Sequence, residues 1–113
     1  MRTAAGGGVT PISTAVVTYE RFSSNRVIVF RKFMTDDGHT WCAIYGDING
    51  LVDIPDGYRP NTKSTIVFIA NASSDTSVRT YDVAANAAAF DVGASSGSLG
   101  AVALVGDNIW QVS

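Results

Sequence analysis

The chain has 113 residues, 46 % of them apolar and only 16 % charged, which describes one globular domain and not a disordered segment. Its formal net charge is -2 and its longest basic run is the pair Arg31-Lys32, so the charge pattern argues against nucleic acid or an anionic membrane as a partner. Apolar runs stop at about five residues, as at 66–70, too short for a membrane helix, and the single cysteine, Cys42, rules out an internal disulfide framework.

The opening "MRTAAGGG" lacks the apolar core of a signal peptide, and with its three glycines residues 1–14 read as a flexible lead-in to a domain spanning 15–113. From there the residue types favour strands: Val and Ile together number 21, against three Leu, one Glu and two Lys. In chain order the expected strands are 15–21, 26–34, 40–47, 51–54, 64–70, 77–84, 89–92, 99–105 and 109–112. Turn signals separate them, among them Asp37-Gly38 and Asn49-Gly50, dipeptides that tolerate positive φ in tight hairpins. The alanine-rich stretch 84–90 is the one place where one or two helical turns compete with a strand. Eight to nine short strands at this spacing predict an all-β fold, an antiparallel β-sandwich or a knob-like β-barrel.

Two segments, 27–30 and 66–69, are apolar on both strand faces. A two-sheet fold wets one face of each sheet, so these strands either lie beneath loops or meet another subunit, which predicts an oligomer joined through one face of a sheet.

Candidates for chemistry are few. His39 is the one histidine, no nucleophile-elbow pattern is present, and three-residue spacing puts His39 and Cys42 on opposite faces of a strand. Cys42 therefore reads as a small buried hydrophobe. The chain lacks the nitrogen and sulfur ligands of a zinc site, and "DINGLVD" lacks the ligand rhythm and closing glutamate of a calcium loop. No cofactor, metal or catalytic group is expected. Asp36, Asp37, Asp47, Asp53 and Asp56 read as turn residues bonding their own backbone, although nine aspartates leave a two-carboxylate glycosidase open. Trp41 and Tyr45 share a strand face, and Trp110 follows a polar turn. Each tryptophan is either core or a platform for a sugar ring. On the second reading the saccharide contacts are Asp37, His39 and Trp41 near one hairpin and Asp107, Asn108 and Trp110 near the last.

The stretch "DIPDGYRP" stands apart. Pro55 cannot donate to a ladder, Asp56-Gly57 supplies a turn, and Arg59 before Pro60 is pushed to an extended conformation. Tyr58 is then placed to pin a rigid corner, with its ring on apolar surface, while Arg59 braces a neighbouring loop or carboxylate. In its motif, Ile54-Pro55-Asp56-Gly57-Tyr58-Arg59-Pro60, and in the strands at 65–70 and 109–112 that follow it, the chain resembles the head domains of tailed-bacteriophage receptor-binding proteins and tail-fibre tips. Gly100-Ala101-Val102 matches a further strand of that layout, and the likeness is close over the seven motif residues only.

The resemblance implies a homotrimeric head at the phage tail tip or baseplate that attaches the virion to host cell-wall saccharide without catalysis. Other baseplate or tail proteins would join it through its N-terminal side. The family's motif residues Pro55, Gly57, Tyr58, Arg59 and Pro60 carry over as structural only, because ligand residues vary from phage to phage. The alternative is a structural virion module, in the baseplate or decorating the capsid, without a ligand.

Overall fold

The computed structural model describes residues 9–21, 24–46, 48, 51–72, 75–92, 99–104 and 108–112. Among them run nine strands: β1 Val9–Arg21, β2 Ser24–Thr35, β3 Thr40–Gly46, β4 Leu51–Asp53, β5 Ser64–Ala72, β6 Asp75–Val83, β7 Ala89–Asp91, β8 Leu99–Leu104 and β9 Asn108–Gln111. The chain is all-β, and every strand pairing is antiparallel.

One expectation needs correction, and one open alternative closes in favour of a strand. β1 starts at Val9 and not at residue 15, so residues 9–14 belong to a strand and only 1–8 of the expected lead-in lie outside the described residues. Pro11 fits within the strand because β1 is the edge of its sheet, where a missing N–H is tolerated, and a register shift between Pro11 and Ser13 absorbs the proline as a bulge. The alanine stretch 84–90 makes no helix. Ala87 N donates to the Ala84 carbonyl at 3.1 Å, and Asn86 sits at φ 58, a left-handed conformation that ends any helical path.

Three sheets share one core. The order β1-β2-β3-β9 forms the largest, β6-β5-β8 the second, and β4-β7 a short pair. Alternation along the strands turns Ile28 and Phe30, Cys42 and Ile44, and Trp110 inward from the four-stranded sheet. They meet Ile66 and Phe68 of β5 and Val83 of β6, and Ile48, Val52, Ile54 and Phe90 complete the same buried cluster. Each Ile, Val and Phe of this cluster contributes roughly 1.5–3 kcal/mol by leaving water.

One polar side chain ties the sheets together. Among the described residues β8 pairs with β5 from Phe68 to Ala72, and Asn108 of β9 bonds the neighbouring residue of β5, Val67. Its Oδ1 accepts from the Val67 N–H at 2.8 Å and its Nδ2 donates to the Val67 carbonyl at 3.2 Å. Asn108 is 4 % exposed, so its carboxamide satisfies peptide groups that water reaches poorly.

Candidate functional site

The first candidate group gathers at the β2–β3 hairpin. Gly38 N donates to the Thr35 carbonyl at 2.9 Å and Thr35 N to the His39 carbonyl at 3.0 Å, closing a three-residue loop of Asp36, Asp37 and Gly38. Gly38 takes φ 87, the left-handed step that such a loop requires and that a side chain resists. Asp37 then folds back on its own turn: one carboxylate oxygen accepts from the Thr35 hydroxyl and from the His39 backbone N–H, the latter at 3.2 Å. The Thr35 hydroxyl first, and the His39 N–H second, hold the Asp37 carboxyl below its ordinary value of 3.8.

The same hydroxyl accepts from the indole N–H of Trp41 at 3.0 Å, giving a relay from Trp41 through Thr35 to Asp37. The His39 ring stands edge-on to Trp41, with centroids 6.4 Å apart and planes at 80°. Gln111 Nε2 lies 3.0 Å from His39 Nδ1. An amide nitrogen only donates, so Nδ1 accepts and the imidazole proton sits on Nε2, 4.0 Å from Asp37 Oδ2. The His39 and Asp37 side chains are 50 % and 63 % exposed. A carboxylate, an imidazole N–H, a carboxamide and a partly covered indole thus share one exposed end of the sheet, the groups with which hydroxyls and the apolar face of a sugar ring are bound. Gln111 was missed in the sequence. Its signal is parity, because it pairs in register with Trp41 and shares a face with Ile109.

The second candidate group does not assemble. Asp107 lies outside the described residues. Asn108 is committed to Val67, and Trp110 is 2 % exposed, tilted against Phe30 and donating its indole N–H to the Tyr58 carbonyl at 2.7 Å. Both are therefore corrected from ligand contacts to core. They pair with Ile44 and Cys42, which face inward, so β9 turns alternate residues away from solvent.

The corner at 55–60 is braced from every side. Tyr58 N donates to the Pro55 carbonyl at 3.1 Å, and Gly57 at φ 89 makes this a type II turn, which a side chain at that position would strain. The Tyr58 ring meets Phe30 edge-on at 6.4 Å, and its hydroxyl shares a 2.7 Å hydrogen bond with Ser13 of β1. Lys32 Nζ lies 4.5 Å from the centre of that ring and donates to the Gly57 carbonyl at 2.8 Å. Arg59 Nε donates to the Ile54 carbonyl at 3.0 Å, and Pro60 is buried.

The outer face of the four-stranded sheet carries Val16, Val27, Tyr45 and Ile109, each at least 42 % exposed, with the Arg31 guanidinium 5.4 Å from the Tyr45 ring centre. Register places them on one side: Val16 pairs with Val29, Val29 with Tyr45, and Ala43 with Ile109. Inside the sheet Cys42 is a buried free thiol whose pKa burial pushes up to about 12, leaving it inert as a nucleophile. Compared with models of protein families, with curated proteins and with solved structures, the chain matches none.

Proposed function

We propose that this chain is a non-catalytic saccharide-binding head of the kind carried at the tips of phage receptor-binding proteins, holding the virion to host cell-wall saccharide. The observation that carries the reading is the hairpin cluster: Asp37, His39, Trp41 and Gln111 present acceptor, donor and stacking groups on one exposed sheet end. Support also comes from the braced corner, which fits the structural part that the family's motif would play. The bare apolar outer face suits association of copies into the homotrimer that the resemblance implies, with baseplate or tail proteins joining on the N-terminal side.

A glycan array probed with the isolated chain tests this reading. Binding to cell-wall saccharides that disappears in Trp41→Ala and persists in Ile109→Thr supports it. An array without a hit overturns it and favours the second reading, a structural baseplate or capsid-decoration module, which the same apolar face suits equally. Light scattering checks the assembly separately: the trimer requires three times the 11.9 kDa protomer mass, and a monomer contradicts it.

A further inference from the structure

A cleft lies where the corner meets the Ala84–Ala87 turn. Asp56, Gly57, Arg59, Asn86 and Val112 line it, and its volume is about 350 Å³, within the range of small-ligand sites. Neither the hairpin cluster nor the motif's structural part accounts for it.

Arg59 is the notable group. Its Nε bond to the Ile54 carbonyl fixes the guanidinium plane and uses one of five donors. Among the described residues the other partner of the guanidinium is Asp56, whose Oδ1 stands 3.9 Å from NH1, beyond hydrogen-bond reach. The Arg59 side chain is 32 % exposed and that of Asp56 98 %, so the terminal N–H groups meet solvent beside a carboxylate that no other described residue holds. Lys32 Nζ, bonded to the Gly57 carbonyl, puts a second positive charge on the corner against this single acid. Across the cleft Asn86 keeps its left-handed φ of 58 because its N–H is tied to the Pro60 carbonyl at 2.7 Å, an arrangement that fixes the backbone beneath its exposed carboxamide.

We propose that this cleft binds a small oxyanion, a carboxylate or phosphate group, with the terminal nitrogens of Arg59 as the main donors and Asn86 as a second. Asp56 stands where the incoming anion goes and must swing aside, which its exposure allows. The inference does not rest on the saccharide reading of the hairpin, since the cleft's residues are different ones.

Nuclear magnetic resonance titration of the full chain with inorganic phosphate, sn-glycerol 3-phosphate, glucuronate and neutral glucose, at low and constant ionic strength, tests it. The anions are expected to shift the amides of Gly57, Arg59 and Asn86 to saturation, and glucose to leave them in place. Tighter binding of glucuronate than of phosphate assigns a carboxylate source, and the reverse order a phosphate source. Asp56→Ala removes the competing carboxylate and should tighten binding about threefold or more, while Arg59→Lys loses the planar fork and should weaken it about tenfold. Asn86→Gly keeps the backbone conformation and should weaken binding about threefold, which keeps the proposal testable if Arg59→Lys fails to fold. Equal shifts with glucose, shifts that never saturate, or an Asp56→Ala variant that binds no tighter would each overturn it.

Discussion

The hairpin at 35–41 and the corner at 55–60 are built on the same dipeptide and do opposite things. Asp37-Gly38 and Asp56-Gly57 each place a glycine at positive φ, the first followed within three residues by His39 and Trp41 and the second by Tyr58. At the corner Tyr58 turns inward onto Phe30 and is fixed by Ser13 and Lys32. At the hairpin His39 and Trp41 turn outward and are held by one another, Thr35, Asp37 and Gln111. Turn chemistry alone therefore does not assign a role. The flanking prolines and the parity of the neighbouring strand decide whether an aromatic residue becomes packing or surface.

The strongest way to break this contrast is to truncate an aromatic in each region. Tyr58→Ala should cost about 3 kcal/mol of stability and lower Tm by many degrees, without changing saccharide affinity per folded molecule. Trp41→Ala should do the reverse, abolishing binding at a much smaller cost, because its ring is only partly covered. Calorimetric unfolding beside a binding assay reads both. If Tyr58→Ala lost affinity at unchanged Tm, the corner would belong to the binding surface.

Asn108→Ala comes next, sharpening the assignment of β9 to the core. It leaves the Val67 N–H and carbonyl without their partner and should cost about 2 kcal/mol, seen as a lower urea midpoint at unchanged m-value. A near-neutral change would return Asn108 to the surface candidates. Tyr58→Phe should lose less, about 1 kcal/mol or below, because the bond to Ser13 is exposed.

The smallest effect concerns acid. Asp37 titrates below its ordinary value when folded, so the native state binds its proton less tightly than the unfolded chain does. Its contribution is present above about pH 4 and is lost as pH falls through the lower native value. Asp82 is shifted the same way, first by the Thr65 hydroxyl and then by Lys63. Asp37→Asn should therefore flatten part of the acid limb of a stability-against-pH curve while leaving Asp82's part. An unchanged acid limb would mean that the Thr35–Asp37 contact is not kept in solution.

Most of the fold was legible because every strand but the three-residue β7 carries β-branched residues between turn signals. The apolar segment 27–30 divides between the two faces of β2, with Val27 and Val29 opposite Ile28 and Phe30. The start of β1 was not legible, because the glycine-rich opening reads as a lead-in and residues 9–14 owe their strand conformation to pairing with β2. At the site, Asp37, His39 and Trp41 were legible because the loop that joins them is local in sequence. Asn108, Trp110 and Gln111 were not, because which side of β9 is buried depends on pairing with β3, a strand more than sixty residues away in sequence.

The two tryptophans offer the most direct test of the account, since their indole N–H groups report separately on the hairpin and on the core behind the corner. A titration of the folded chain with neutral hexoses, N-acetylhexosamines and glycerol, followed by those two resonances, should move the Trp41 signal to saturation with at least one ligand while the Trp110 signal stays fixed. Movement of the Trp110 signal ahead of Trp41, or binding detected by calorimetry while the Trp41 signal stays fixed, would contradict the assignment of the hairpin as the binding surface.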